Sequence, residues 1–271
     1  MILVLGATGK TGRRVVAQLE QRGAPVRAAS RRSATHFDWR NRETWGPALD
    51  GVRAVYLVDS QASDAAETLG AFSAQAVAAG VSQLVLLSSR DAGVSGGLTW
   101  LDGERAVREA GAEWTILRPT WFMQNFSEEP YLRDPVKAGT LTLSTGAGLE
   151  PFIDAEDIAE VAATVLTEPG HAGQIYELSG PRLLTFGDAL AEIATVTGRD
   201  LRHVQVSGEE YAALAAEQGS SPGLIEALVL LFGWIEEGRN AHLSDGVRRV
   251  LGREPRDFTD YAKTTAATGV W

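Results

Sequence analysis

Gly6-Ala7-Thr8-Gly9-Lys10-Thr11-Gly12 joins the first apolar run of the chain, Ile2-Leu3-Val4-Leu5, to an amphipathic segment that ends near Arg22. The glycine spacing is GxxGxxG, and glycine permits both a positive φ angle and a close approach of backbone to a ligand. The helix that follows offers unpaired N–H groups and the positive end of its dipole. In this strand–turn–helix setting we expect the loop to bind phosphate groups, and a tight structural turn is the alternative.

A nucleoside-triphosphatase P-loop is a competing interpretation of the same stretch, because Gly9-Lys10-Thr11 resembles the end of GxxxxGK[ST]. That motif requires a glycine at position 4, where this chain has Val4 inside the strand, and we reject it on this ground. Lys10 is either a further contact for phosphate or a solvated lysine on the first turn of the helix.

Short apolar runs alternate with helical patterns through the first two-thirds of the chain. The predicted strands are 3–5, 26–29, 54–58, 84–87 and 114–117, with a late strand at 175–178 that returns to the same sheet. Continuous apolar strands separated by amphipathic helices are typical of a parallel sheet covered on both faces, with right-handed crossovers. The predicted fold class is therefore α/β, a doubly wound parallel (Rossmann) sheet with a smaller, mostly helical C-terminal lobe.

Ser30-Arg31-Arg32 ends the second predicted strand, about twenty residues past the glycine loop, where NAD-binding folds place a carboxylate for the ribose 2′-OH. A carboxylate would repel a 2′-phosphate, whereas a guanidinium group pairs with it through two hydrogen bonds. The sequence therefore favours NADP(H), with Arg31 as the preferred contact and Arg32 as a second. Two solvated surface arginines are the alternative.

Beyond Pro119 the strand–helix alternation loosens, and helices dominate from Thr185 onward. We expect residues 1–125 and 151–180 to form the NADP-binding Rossmann core, and residues 126–150 and 181–271 to form a smaller substrate-binding lobe. The predicted helix 224–234 is strongly apolar. Packing within the lobe is its default interpretation, and closure of the substrate cleft or a homodimer contact are the alternatives.

Composition excludes several other classes of protein. The net charge of -10 and the pI near 5.0 argue against nucleic-acid binding. The chain has no cysteine, which excludes disulfides, thiolate catalysis and cysteine-ligated zinc. The four histidines lie far apart, so no metal site is expected. No apolar run approaches the roughly 20 residues of a membrane span, and no signal-peptide pattern precedes the first strand, so we expect a cytoplasmic protein.

Four segments resemble the NmrA-like atypical short-chain dehydrogenase/reductases, and they recur in order along nearly the whole chain. They are the GATGxxG loop 6–12, Ile116-Leu117-Arg118-Pro119-Thr120-Trp121-Phe122-Met123-Gln124-Asn125, Pro151-Phe152-Ile153-Asp154-Ala155-Glu156-Asp157-Ile158-Ala159 and Tyr176-Glu177-Leu178-Ser179-Gly180-Pro181. Gln124 replaces the acid usual in the second segment. The resemblance implies a Rossmann core, a small C-terminal lobe and a cleft between them. Members include NAD(P)H-dependent quinone and triarylmethane reductases and also sensors that bind the dinucleotide without catalysis.

The resemblance also implies which residues contact the ligands, some bordering the nicotinamide and others the adenine. The expected cofactor-binding residues are Gly6, Thr8, Gly9, Lys10, Thr11, Gly12, Arg31, Arg32, Asp38, Trp39, Val58, Ser88, Ser89, Arg105, Pro119, Trp121 and Phe122. Asp38 and Trp39 are expected near the adenine. Trp100, Trp121 and Phe122 are candidates for an apolar substrate pocket, and buried core is the alternative for them.

One departure from the larger dehydrogenase superfamily concerns catalysis. Ordinary short-chain dehydrogenases use Tyr-x3-Lys, in which the lysine lowers the pKa of the tyrosine so that it can act as an acid. This chain has Leu101 and Arg105 at the corresponding positions, and arginine does not shed its proton usefully. The catalytic residues therefore stay unassigned, with Ser88 and Arg105 as candidates.

The function expected from the sequence is an NADPH-dependent oxidoreductase that transfers hydride to a small aromatic or quinone-like acceptor without a Tyr-x3-Lys pair. The alternative is a non-catalytic NADP(H)-sensing regulatory protein of the NmrA type. A third interpretation, an isomerase or epimerase that uses the cofactor transiently, is disfavoured by the missing tyrosine–lysine pair.

Overall fold

The computed structural model describes residues 1–93 and 100–271 of the chain. The strands are β1 Ile2–Leu5, β2 Val26–Ser30, β3 Thr35–His36, β4 Ala54–Val58, β5 Gln83–Leu87, β6 Glu113–Pro119, β7 Thr140–Leu143, β8 Gln174–Leu178 and β9 Arg202–Gln205. The α-helices are α1 Gly12–Gln21, α2 Trp45–Leu49, α3 Ala65–Ala78, α4 Trp100–Glu109, α5 Asn125–Glu128, α6 Pro130–Ala138, α7 Ala155–Thr167, α8 Phe186–Thr197, α9 Gly208–Glu217, α10 Pro222–Glu236, α11 Gly246–Leu251 and α12 Phe258–Ala266. Short 3-10 helices lie at Arg42–Thr44 and Arg90–Gly93.

Seven of these strands form one sheet in the order β3-β2-β1-β4-β5-β6-β8, and every neighbouring pair in it is parallel. β1 lies between β2 and β4, with Ile2 opposite both Val26 and Ala54. All the strands predicted for the sheet are in it, including the late strand, which pairs with β6. The strand order changes direction between β1 and β4, and ligands of open α/β sheets bind at such a switch point. The predicted doubly wound fold is confirmed.

The sheet is buried because its central strands are apolar along their whole length. All four residues of β1 are buried, as are four of the five in β4. Helices cover the sheet, and among them α1 packs against α7 while α3 packs against α4. Because these strands are buried on both faces, the core holds their carboxyl ends at fixed positions. The loops that follow these ends carry the candidate site.

The chain divides into two compact units. The first consists of Met1–Pro119, Ala155–Leu178 and Ser244–Glu254, and it contains the seven-stranded sheet. Its last segment carries α11, which packs against α7 and β8.

The second unit consists of Thr120–Asp154, Ser179–Leu243 and Pro255–Trp271. It is mostly helical, and its core is rich in aromatic rings. The rings of Phe126, Phe152 and Phe186 contact one another there. A small parallel pair, β7 with β9, was not expected from the sequence. Polar residues interrupt both strands, so neither has the continuous apolar run that identified β1 in the sequence.

Candidate cofactor site

The glycine loop is a compact turn whose shape depends on Gly6 and Gly12. Gly6 has a φ of +62°, which favours glycine, and its carbonyl oxygen accepts a 2.8 Å hydrogen bond from the N–H of Gly9. A Cβ added at Gly12 would lie 2.2 Å from that same oxygen, and one at Gly9 would lie 3.1 Å from it. The first and last glycines therefore allow the loop to fold directly onto the start of α1.

The N-terminus of α1 is open for an anion. Among the described residues, the N-cap Thr11 makes no side-chain capping hydrogen bond, and the first turn has no acidic residue. Thr8 and Gly9 are exposed, and Lys10 is half-buried with its carbonyl oxygen 2.8 Å from Arg14 Nη1. A helix end without a cap, next to a loop of exposed backbone, has the geometry that binds phosphate.

The end of β2 carries the charge expected there. Arg31 and Arg32 are exposed, and their backbone atoms form hydrogen bonds within the turn. The N–H of Arg32 donates to Ser30 Oγ at 3.1 Å, and a ring nitrogen of His36 lies 3.2 Å from the Arg31 carbonyl oxygen. These bonds fix the backbone of the turn and leave both guanidinium groups in solvent, where a phosphate can reach them.

Trp39 connects this turn to the glycine loop. Its Nε1 donates to the carbonyl oxygen of Val58 at 3.2 Å, and its ring packs on Phe37 and Phe72. Val58 ends β4, and its Cβ would lie 3.7 Å from a Cβ added at Gly6. The Asp38 carboxylate accepts a 3.0 Å hydrogen bond from the N–H of Arg40. The structure thus brings Trp39, Val58 and Gly6 together.

Ser88 follows β5 and is bonded to a carboxylate that the sequence analysis did not identify. Its hydroxyl donates to Glu104 Oε1 at 2.7 Å. Glu104 is 1% exposed and also forms a two-bond ion pair with Arg118, at 2.8 and 2.7 Å. Arg108 contributes a further bond of 3.0 Å. The bond to Glu104 raises the pKa of the Arg118 guanidinium above its ordinary value.

A sequence signal for this buried pair does exist. Glu104 lies three residues before the buried Val107 on the same face of α4, so an acid occupies a core position. Arg118 likewise interrupts the apolar run of β6. Opposite charges at two core positions predict that they pair, since an isolated buried charge is costly.

A small open cleft lies at the carboxyl ends of β4 and β5. Its lining residues are Asp59, Ala65, Ala66, Leu69, Leu86, Leu87, Ser88 and Gly103. Burial raises the pKa of the Asp59 carboxyl, while a hydrogen bond from the N–H of Gln61 opposes this shift. Six of the eight lining residues are alanine, leucine or glycine, and the two polar side chains of the lining are Asp59 and Ser88.

Comparison with known proteins agrees with this geometry. Residues 6–169 match the model of a family described as NAD(P)H-binding, which spans more than half of the chain. The chain belongs to this NAD(P)H-binding family. The predicted resemblance to the NmrA-like atypical short-chain dehydrogenase/reductases is confirmed.

Relatives of this NAD(P)H-binding chain match it over almost its full length. The festuclavine dehydrogenase of Aspergillus fumigatus is 33% identical over 285 residues, which is 98% of each chain. The NAD(P)H azoreductase of Xenophilus azovorans is 31% identical over 283 residues, again 98% of each chain. The fold is shared with an NADPH-dependent quinone oxidoreductase of Escherichia coli at a TM-score of 0.85 and 23% identity, covering 97% of this chain and 99% of that one.

Other predicted residues of the NAD(P)H-binding site make different contacts. Arg105 is exposed on α4, where its guanidinium bonds to Asp102 at 2.6 Å and not to Ser88. Leu101, at the position of the superfamily tyrosine, is 41% exposed. Ser89 Oγ donates to Asp91 at 3.1 Å. The side chain of Trp100 lies outside the described residues.

The aromatic residues that follow β6 lie in the second unit. Trp121 is 8% exposed, and its ring stacks on Phe232 at 5.5 Å between centroids. The backbone N–H of Trp121 donates to Glu150 Oε1 at 3.2 Å. Phe122 is half-buried and forms an isolated bridge with Ile153. Trp121 is therefore a member of the core of that unit, and a role in contacting substrate stays a prediction for both residues.

Residues 1–93 and 100–271 contain no group of three or more His, Asp or Glu side chains that could hold a metal ion. In the same ranges, no helix has the length and apolarity needed to cross a membrane.

Proposed function

We propose that this protein is an NADPH-dependent oxidoreductase that transfers hydride to a small aromatic or quinone-like acceptor. The observation that carries the proposal is the glycine loop at the uncapped start of α1, in a chain that belongs to an NAD(P)H-binding family. A side chain at Gly12 would collide with the backbone of Gly6. The loop therefore requires glycine where its backbone lies directly against the start of α1.

The residues present fit the phosphorylated dinucleotide. Phosphate groups would bind the backbone from Gly6 to Gly12, and the 2′-phosphate would bind the exposed guanidinium of Arg31, with Arg32 beside it. No carboxylate follows β2 at Ser30, Arg31 and Arg32 to favour a free 2′-OH. The same positions support the choice of NADPH over NADH.

The choice of acceptor is supported by the names of the relatives. An azoreductase and a festuclavine dehydrogenase match over 98% of their length, and a quinone oxidoreductase shares the fold. This chain lacks the tyrosine and lysine of ordinary short-chain dehydrogenases, having Leu101 and Arg105 instead. Hydride transfer to an electron-poor acceptor needs less help from an acid than reduction of a simple ketone does. Trp121 and Phe122 are the proposed aromatic contacts of the acceptor.

The work of the protein in this mechanism is binding and orientation. The dinucleotide, when bound, supplies the hydride. The loop and Arg31 hold its phosphates, and the apolar residues around Ser88 limit water near the carboxyl ends of β4 and β5. Positioning of this kind lowers the barrier because hydride moves only between atoms in near contact.

The test is steady-state oxidation of NADPH in the presence of a quinone, an azo dye or a triarylmethane dye, each with NADH in parallel. Turnover with at least one acceptor, faster with NADPH than with NADH at limiting cofactor, is the expected result. The matched variant is Gly12→Ala, which should lose turnover with every acceptor. If NADPH binds but no acceptor is reduced in a broad screen, the oxidoreductase proposal is wrong, and the sensing function is the better account.

A further inference from the structure

The hydroxyl proton of Ser88 is already used within the protein. It is donated to Glu104 Oε1 at 2.7 Å, and a carboxylate oxygen can only accept. A hydroxyl has one proton and two lone pairs, so Ser88 has lone pairs left for a further partner. Ser88 also lines the cleft at the ends of β4 and β5, so that partner can approach from the cleft.

The Glu104 carboxylate fixes the direction in which the Ser88 hydroxyl donates its proton. An ionised carboxylate offers about four acceptor positions, and the described residues fill them. Oε1 accepts from Ser88 and from Arg118 Nε, while Oε2 accepts from Arg118 Nη2 and Arg108 Nη2. Rotation of the Glu104 side chain, which is 1% exposed, would break the two-bond pair with Arg118. The orientation of the Ser88 hydroxyl is therefore set by Glu104.

The order of the strands indicates which part of a dinucleotide reaches Ser88. Arg31 follows β2 and the glycine loop follows β1, whereas Ser88 follows β5 on the far side of β4. A dinucleotide lies across the carboxyl ends of the strands at the switch point. With its 2′-phosphate at Arg31 and its pyrophosphate at the loop, its nicotinamide half extends over β4 toward Ser88.

We infer that Ser88 binds the nicotinamide half as a hydrogen-bond acceptor, taking an N–H of the carboxamide, and that Glu104 is the positioning residue that fixes this polarity. The inference rests on the proposed binding of NADP(H). Its consequence for the reaction is that the Ser88 proton is not available to the oxygen of a reduced acceptor. Ser88 is then a binding residue for the cofactor and not an acid.

The test compares two dinucleotides that differ in one donor group. NADP+ has a carboxamide, and its 3-acetylpyridine analogue keeps the carbonyl oxygen but has a methyl group in place of the NH2. Ser88→Ala should weaken NADP+ about 3- to 10-fold and leave the affinity of the analogue unchanged. The control is Ser82→Ala, whose hydroxyl bonds to the Arg53 carbonyl oxygen just before β5. It should change neither affinity.

Glu104→Gln tests the positioning role. A glutamine whose carbonyl oxygen takes the place of Oε2 keeps the bonds from Arg118 Nη2 and Arg108 Nη2, loses the bond from Arg118 Nε and turns its NH2 toward Ser88. The Ser88 proton then faces the cleft. This variant should lose the preference for NADP+ over the analogue, because the carbonyl oxygen is common to both. A loss of packing alone would weaken both dinucleotides equally and leave the preference intact. If Glu104→Gln does not fold, the comparison of NADP+ with the analogue in Ser88→Ala decides whether Ser88 accepts a hydrogen bond from the carboxamide.

Several results would overturn the inference. Equal losses for NADP+ and the analogue in Ser88→Ala mean that Ser88 bonds to the carbonyl oxygen or to the ribose, and no loss for either means that it contacts neither. An unchanged preference in folded Glu104→Gln removes the positioning role. If the wild-type protein binds neither dinucleotide, the proposed function fails first and the inference falls with it, so the two failures are distinguishable.

Discussion

The glycine at position 12 tolerates a side chain less than most glycines of the chain. A Cβ there would meet the Gly6 carbonyl oxygen at 2.2 Å and the Gly6 carbonyl carbon at 2.7 Å. Neither atom belongs to a flexible side chain, so the loop must move away from α1 to make room.

We therefore expect Gly12→Ala to lower the free energy of unfolding by about 1–3 kcal/mol and to abolish dinucleotide binding. Chemical denaturation and isothermal titration with NADPH measure the two effects. The matched control is Gly223→Ala in the first turn of α10, where a Cβ would meet no atom within 4 Å. That change should stabilise the protein by about 0.5–1 kcal/mol. A Gly12→Ala protein of wild-type stability that still binds NADPH would show that the loop adapts.

Arg31 is the residue on which the choice of cofactor depends. Its guanidinium is exposed after β2, and it can form charge-assisted hydrogen bonds only with a dinucleotide that has a 2′-phosphate. Arg31→Ala should therefore reduce affinity for NADPH by about tenfold to a hundredfold and leave affinity for NADH nearly unchanged. Titration of both dinucleotides measures this. Arg53→Ala, at the exposed position before β4, is the control and should change neither. Equal wild-type affinities for the two dinucleotides would contradict the assignment.

The contacts of single residues were predictable to different extents. The loop and Arg31 could be proposed as cofactor contacts because glycine spacing and charge at the end of a strand are local features of the sequence, and these contacts stay predictions. Arg105 was proposed from its position alone, and its guanidinium bonds to Asp102, three residues earlier on the same helix. Glu104 was missed although it interrupts the buried face of α4, and its particular bond to Ser88 joins residues on different elements. Side-chain pairing of that kind depends on tertiary packing, which local patterns do not specify.

The start of α12 is held by an ion network in the second unit. Asp257 caps the helix by accepting a hydrogen bond from the N–H of Thr259, and Arg182 donates two hydrogen bonds to its carboxylate, at 2.6 and 2.8 Å. Arg182 also pairs with Glu192 on α8. The bonds from Arg182 lower the pKa of Asp257 from 3.8 to about 2. The network connects α12 to α8 through charge as well as apolar packing.

This lowered pKa predicts how stability depends on pH. Asp257 stabilises the folded state above its ordinary pKa of 3.8, and this contribution is lost as the pH falls toward about 2. Asp257→Asn keeps a capping side chain but removes the charge. It should cost about 0.5–1 kcal/mol at pH 7 and little at pH 2, because the pair is partly exposed. Denaturation at a series of pH values measures the difference.

The control for this variant is Asp260→Asn on the same helix, where the carboxylate lies 3.7 Å from Lys263 and is mostly exposed. It should change stability by less than about 0.5 kcal/mol at either pH. A loss for Asp257→Asn that is the same at pH 2 and pH 7 would mean that the charge of Asp257 does not contribute.

Whole elements were predictable where their patterns were long. The central strands β1, β4 and β5 have nearly continuous apolar runs, and their parallel pairing follows from the helices between them. α6 was not predicted, because Pro130 and Pro135 break the helical pattern. Pro130 lies in the first turn, where its missing N–H costs little, and the helix continues through Pro135. The pairing of β7 with β9 joins distant segments, and no local signal specifies it.

At the scale of the molecule, a bound dinucleotide should stabilise the protein against heat. A ligand at a hundred times its dissociation constant adds about 2.7 kcal/mol, which corresponds to a rise in Tm of about 5–10 °C for a chain of this size. NADPH should give this rise, and NADH at the same concentration should give a smaller one, because Arg31 gains no partner. A thermal melt with each dinucleotide measures it. Equal shifts would contradict the preference for the phosphorylated cofactor.

Because the chain passes back and forth between the two units, neither unit is complete until late in synthesis on the ribosome. The seven-stranded sheet is completed only by β8, which ends at Leu178, and α11 joins the same unit only at Gly246. Much of the second unit is therefore synthesised before the first is finished. Until β8 is synthesised, β6 is an edge strand of the nascent sheet and is open to pairing with another chain. We expect a chain whose translation stops between residues 119 and 174 to aggregate. Premature termination in this interval should therefore not leave a half-active fragment.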